Sequence, residues 1–120
     1  MELPKNNFKK NLINGVHQLG IWNSISGNSV PELLATCGFD WVLIDTEHAP
    51  VATVEIQSSL QSIAAYENVS AVVRPAANDP ILIKRILDMG ALTLLLPYIQ
   101  SAREAEDAVS SVTYGPNGLR

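Results

Sequence analysis

Four short strand candidates alternate with segments that carry helix start signals, and this alternation constrains the chain more than any other feature. The runs are Val16–Trp22, Trp41–Asp45, Ser70–Arg74 and Leu92–Leu96. A short helix around Asn7–Asn14 comes before the first and ends near Gly15. Asn28 or Ser29 caps the next helix, with Pro31 in its first turn and Gly38 after its end near Thr36. Val51–Ala65 places Val54, Leu60, Ile63 and Ala64 on a roughly helical spacing. Asp79-Pro80 joins an N-cap aspartate to a proline at the first helical position, and that helix runs through Ile83, Ile86 and Leu87 to Gly90. Ser101 and Glu104 have the spacing of a capping box, and Tyr114–Arg120 reads as a loop.

Strand and helix in strict alternation imply a parallel sheet with right-handed crossovers. Four such units are the N-terminal half of a (β/α)8 barrel, four parallel strands alternating with helices. A flavodoxin-like open sheet fits the pattern too. It usually has five strands and a glycine-rich phosphate loop, and neither G-x-G-x-x-G nor a Walker motif occurs here. A chain of 120 residues suffices for one core and not for two, so residues 1–120 are expected to form one partial domain.

Composition narrows the partners. The net charge is −4 with no basic run, which argues against nucleic acid. No apolar run approaches the ~20 residues that span a bilayer, and Met1–Asn7 lacks the apolar core of a signal peptide. Cys37, the single cysteine, cannot form an internal disulfide, so a reducing, cytoplasmic setting is expected. With no histidine or second cysteine close in sequence, Cys37 is read as a small buried residue. His17, at the start of the first run, is at the wrong end of a barrel strand for catalysis and is read as structural.

The second run ends abruptly. Trp41-Val42-Leu43-Ile44 leads straight into Asp45-Thr46-Glu47-His48-Ala49-Pro50. In α/β folds, ligands and catalytic groups gather at the carboxyl ends of strands. Three titratable side chains within four residues at such an end point to a site rather than to packing. Arg74 closes the third run in the same way, and a guanidinium makes planar, bidentate contacts to carboxylate and keto oxygens.

The segments Leu19–Trp22, Gly38–Asp45, Glu47–Pro50, Val72–Pro75, Asn78–Pro80, Leu87–Gly90 and Leu95–Pro97, taken in order, resemble the HpcH/HpaI aldolases, a family grouped with citrate-lyase-β-like lyases. The Asp-x-Glu-His-Ala-Pro element is the specific part; the others are weak singly. Family members are about twice this length, so the resemblance implies the N-terminal half of their barrel. It also implies reversible, metal-dependent aldol cleavage of a hydroxylated 2-oxo acid to pyruvate, or a related 2-oxo acid, and an aldehyde.

The resemblance assigns His48 as the base, Asp88 as the acid that pairs with it, and Arg74 as the group holding the pyruvate oxygen. Asp45 is expected to orient the site and Trp22 to wall the pocket. Glu47 is expected to bond metal-bound water, because the family's glutamate and aspartate ligands to a Mg²⁺- or Mn²⁺-class ion come from later strands, outside this chain. A homo-oligomer or a complementing C-terminal half is implied as partner. Each residue also has a plainer reading: a helix-capping or loop-bonded His48, a solvated Asp88 at a helix end, an Asp45 that caps its loop, an Arg74 tied up in an ion pair, a Trp22 that only packs. A non-catalytic half-barrel or interaction subunit is the alternative function. Without the other strands, the apolar faces of Trp41–Ile44 and Leu92–Leu96 are expected to be uncovered.

Overall fold

The computed structural model describes residues 4–120. In chain order the elements are α1 (Asn7–Ile13), β1 (Gly20–Asn23), α2 (Ser29–Ala35), β2 (Trp41–Asp45), α3 (Thr53–Ala64), β3 (Ser70–Arg74), α4 (Pro80–Asp88) and α5 (Ala102–Val112). The three strands form a parallel sheet in the order β1-β2-β3, with Trp41 beside Gly20 and Ser70, and Asp45 beside Arg74. This is the alternating α/β pattern expected from the sequence, with one strand fewer.

The helix starts follow local chemistry. Asp79 Oδ1 accepts from the N–H of Ile81 at 2.8 Å and of Leu82 at 2.9 Å, and Pro80 occupies a position that has no N–H to satisfy. Gly90 ends the segment with φ +105°, a conformation that costs a residue with a Cβ. Ser101 Oγ accepts from Glu104 N at 3.2 Å, while the Glu104 carboxylate reaches one residue further back than a capping box requires, to Gln100 N at 2.6 Å.

The core lies between the sheet and its helices. Val42, Ile44 and Val73 from the strands pack with Ile56, Leu60 and Ile63 of α3 and Ile86 of α4. Burying each such side chain stabilises the fold by about 1.5–3 kcal/mol. The buried stripe of α3 is Ile56, Leu60 and Ile63, at i, i+4 and i+7; Val54 and Ala64, expected on that face, are exposed.

Three sequence expectations are corrected. The first strand begins at Gly20, not Val16, and His17 precedes it, exposed. A Cβ at Gly20 would overlap the Trp41 indole, so only glycine admits the close β1–β2 approach. Leu92–Leu96 is not a fourth strand but a single parallel bridge, Val73 to Leu94, made by Val73 N–Thr93 O at 3.1 Å and Leu95 N–Val73 O at 2.9 Å. The next two ladder bonds would need N–H donors at Pro75 and Pro97, and proline has none. Cys37 is exposed, its thiol 3.2 Å from Leu33 O.

The uncovered apolar surface is also smaller than expected. Val42, Leu43 and Ile44 are at most 1% exposed, whereas Leu92 and Leu95 are 45% and 41% exposed. Among the described residues no helix is long and apolar enough to cross a membrane.

Candidate active site

The carboxyl ends of β1, β2 and β3 form one rim, and strand register decides what meets there. Asp45 and Arg74 are direct partners on adjacent strands. Alternation turns both to the face opposite Ile44 and Val73, which pack on the helices. Arg74 Nε donates to Asp45 Oδ1 at 2.9 Å and Nη2 to Oδ2 at 2.6 Å, a bidentate fork. Trp22, near the end of β1, donates from its indole N–H to Asp45 Oδ2 at 3.2 Å, and the guanidinium carbon lies 5.0 Å from its ring centre. The backbone N–H groups of Glu47 and His48 donate to Asp45 Oδ1 at 2.9 and 3.3 Å, curling the loop back over the strand end.

Asp45 is 2% exposed, a burial that a carboxylate tolerates only when compensated. Burial alone would push its carboxyl up. The Arg74 fork, the two backbone donors and the Trp22 indole together outweigh that and hold it well below the usual carboxylate range. Asp45 in turn keeps Arg74 firmly protonated.

Glu47 continues the network outward. Its Oε2 is 2.9 Å from Arg74 Nη1, and its Oε1 is 3.6 Å from His48 Nε2, beyond direct hydrogen-bond reach. The His48 side chain is 74% exposed, open to a reactant. Arg74 gives two N–H bonds to Asp45 and holds Glu47 as an ion pair through Nη1. A guanidinium has five N–H donors, so a cation held in this way can also receive a carboxylate or keto oxygen. A cleft of about 460 Å³ opens beside Glu47, between Ala76–Asn78 and Pro97-Tyr98.

Five of the six residues singled out from the sequence, Trp22, Asp45, Glu47, His48 and Arg74, therefore share the rim. Asp88 does not join them. It ends α4, whose chain has run back from the rim toward the other end of the sheet, and its Oδ1 pairs with Arg120 Nη2 at 2.6 Å. Arg120 also stacks over Tyr114, 4.7 Å from the ring centre. Within this chain Asp88 is paired with the tail and not with His48.

Thr46 was not singled out, yet it secures the arginine. Its N–H and Oγ1 both donate to Arg74 O, at 3.0 and 2.6 Å, and so lock the end of β3 to the turn after β2. The signal was a hydroxyl beside a strand-end aspartate, which is common in turns and uninformative by itself.

The carboxylates of the rim are largely committed to the protein's own donors. Among the described residues no three His, Cys, Asp or Glu side chains stand together so as to hold an ion. Both Asp45 oxygens are engaged, and Glu47 spends one of its own on Arg74. A divalent cation needs several free oxygen donors at once.

A sheet of parallel strands alternating with helices, with an anchored arginine at the strand ends, is an α/β scaffold. The profile of the HpcH/HpaI aldolase/citrate lyase family matches residues 18–120, and the chain belongs to that family. It is 51% identical over 120 residues to a pyruvate aldolase of Rhizobium etli, covering all of this chain and 47% of the relative. It is 48% identical over 116 residues to the 4-hydroxy-2-oxo-heptane-1,7-dioate aldolase of Salmonella dublin, covering 97% of this chain and 44% of that one. A solved structure of an HpcH/HpaI aldolase/citrate lyase family protein from Burkholderia cenocepacia superimposes with a TM-score of 0.91 at 40% identity, over 97% of this chain and 48% of the other. The chain thus spans about half the length of the curated relatives it matches, and its fold is half of their barrel.

Proposed function

We propose that residues 1–120 are a partial domain contributing the oxyanion-binding and proton-transfer side of a carbon–carbon lyase, one that cleaves hydroxylated 2-oxo acids to pyruvate, or a related 2-oxo acid, and an aldehyde. The observation that carries this reading is Arg74, fixed at the strand ends by the bidentate fork to buried Asp45. In cleavage, a base takes the proton of the hydroxyl, the carbon–carbon bond breaks to release the aldehyde, and the electron pair enters an enolate. A proton returned to the enolate carbon gives the 2-oxo acid. Arg74 is proposed to hold the developing enolate oxygen. His48, exposed on the adjoining loop, is proposed as the base, since imidazole suits proton transfer near neutral pH. Trp22 walls the pocket and keeps the guanidinium plane in place.

A divalent ion enters this proposal through family resemblance alone. Its ligands are proposed to come from chain outside these residues, a reading supported by the engagement of both Asp45 oxygens and one Glu47 oxygen with the protein's own donors. The 120-residue chain is likewise proposed to be inactive alone and to work with a complementing half or further copies of itself, in a cytoplasmic setting.

The test is pyruvate release from a 4-hydroxy-2-oxo acid by this chain joined to a second half-barrel, with Mn²⁺ or Mg²⁺ added or chelated. His48→Ala should slow release on the order of 10²-fold or more. Arg74→Lys should be similarly severe, because an ammonium does not reproduce the planar fork. Near-normal turnover in both variants would defeat the assignment.

A further inference from the structure

Glu55 lies in the first turn of α3, outside the rim just described, yet one carboxylate there joins two rim loops. Its Oε1 accepts from Ser26 Oγ at 2.6 Å and from Gly27 N at 2.8 Å, both in the loop that follows β1. Its Oε2 accepts from Ala52 N at 2.7 Å, the last residue of the loop that carries Glu47 and His48. Ala52 occupies the N-cap but has no side-chain acceptor, so the glutamate makes only the reciprocal arm of a capping box and spends its other oxygen across the rim.

The loop that Glu55 reaches is organised at its other end too. Asn23, buried at the end of β1, accepts from Ile25 N at 3.3 Å and donates to Ile25 O at 3.2 Å. Residues 24–27 are thereby pinned at the strand by Asn23 and at the far side by Glu55. The His48 loop is likewise pinned at its start by Asp45 and at its end by Glu55. Ser26, then Ala52 and Gly27, hold the Glu55 carboxyl below the usual range, so the clasp is present as carboxylate near neutral pH.

We infer that Glu55 is a positioning residue that clasps the loop after β1 to the loop carrying His48, and so fixes where the imidazole stands over the rim. The role in turnover rests on the lyase reading above; the clasp itself does not. A glutamate that merely started α3 would bond Ala52 and leave Ser26 and Gly27 to water. The contact to a loop 28 and 29 residues earlier in the chain is what a capping role leaves unexplained.

The experiment is hydrogen exchange by mass spectrometry on the 120-residue chain, following peptides over 24–28, 50–53 and 59–64. Glu55→Ala should speed exchange in the first two by about 10-fold or more, the scale of losing a charge-assisted hydrogen bond, and leave 59–64 unchanged. Ser26→Ala, which does not touch α3, should loosen 24–28 alone. If 24–28 keeps its protection in both variants while 50–53 loosens in Glu55→Ala, Glu55 is only a helix cap and the inference fails. In the joined barrel, Glu55→Ala should lower kcat by about 5- to 10-fold and leave KM within about twofold, because the displaced group is His48 and not Arg74. Glu55→Gln, which keeps an acceptor for one loop, should restore part of the loss. A matching rise in KM, or no rescue, would overturn the positioning role. Absence of turnover in the unsubstituted barrel would defeat the lyase reading and leave the exchange result standing.

Discussion

The rim and the far edge of the sheet are built from the same kind of strand, yet one is finished and the other is not. At the rim, Asp45 makes five hydrogen bonds, and Arg74 stands in register with it, stacked on Trp22. At the edge, the ladder stops after one bridge, and Leu92, Leu95 and, on α5, Val109 expose apolar side chains. Register alone brings Asp45 and Arg74 together on neighbouring strands, and Trp22 of β1 closes over the pair. The core residues of β2 and β3 are covered, and the apolar exposure of this edge lies beyond Val73.

The sharpest way to break this contrast is to open the rim. Asp45→Ala would leave the Arg74 cation, 17% exposed, facing a cavity with only Glu47 as counter-ion. Breaking a buried pair from one side costs about 3–5 kcal/mol. The urea midpoint should fall accordingly, and a loss under about 1 kcal/mol, typical of surface pairs, would mean that the rim is no more finished than the edge.

Acid should act on the rim in the same direction. The folded Asp45 carboxyl titrates below its unfolded value, so its contribution to stability is present above about pH 4, the ordinary aspartate value, and is lost as pH falls below that toward the lowered folded value. Urea midpoints should therefore drop between pH 5 and pH 3, and Asp45→Asn should flatten that slope. An equal slope in the variant would place the acid sensitivity elsewhere.

The edge is tested by charge. Leu92→Lys places an ammonium on an apolar surface that a parallel edge would use to associate. Stability should change by no more than about 0.5 kcal/mol, as for most surface substitutions. Self-association, measured by sedimentation, should weaken by about tenfold, equivalent to about 1.4 kcal/mol. An unchanged sedimentation profile would show that the edge does not direct association.

What could be read from the chain beforehand divides along the same line. Local chemistry was legible: the Asp79-Pro80 start, the strand-end carboxylate at Asp45, Arg74 at the end of its own run. These need only neighbours in sequence. The loss of the fourth strand was also written there, in Pro75 and Pro97, but it becomes visible only once register aligns the two prolines across one ladder. Contacts set by tertiary placement left no such trace. Glu55 offers a carboxylate at the third helical position, while its partners Ser26 and Gly27 lie far back in the chain. Cys37 reads as a buried small residue, but the turn after α2 leaves it in solvent.

Asp88 gives the smallest expected effect and the finest test. The sequence resemblance pairs it with His48, whereas the fold puts it at the end of α4 with Arg120. Its side chain is 65% exposed, so the ion pair contributes at most about 1 kcal/mol. A carboxylate at a helix C-terminus costs a comparable amount, about 0.3–1 kcal/mol, against the helix dipole. Arg120 keeps its stack on Tyr114 when the carboxylate is removed. Asp88→Ala should therefore leave the urea midpoint within about 0.5 kcal/mol of the unsubstituted chain, because the two contributions offset. Exchange of the Glu47 and His48 amides, which bond Asp45, should not change either. In the joined barrel, Asp88→Ala should cost far less turnover than His48→Ala. If it costs as much, the Asp88 that serves His48 comes from a neighbouring copy of the chain, and the rim is finished only by assembly.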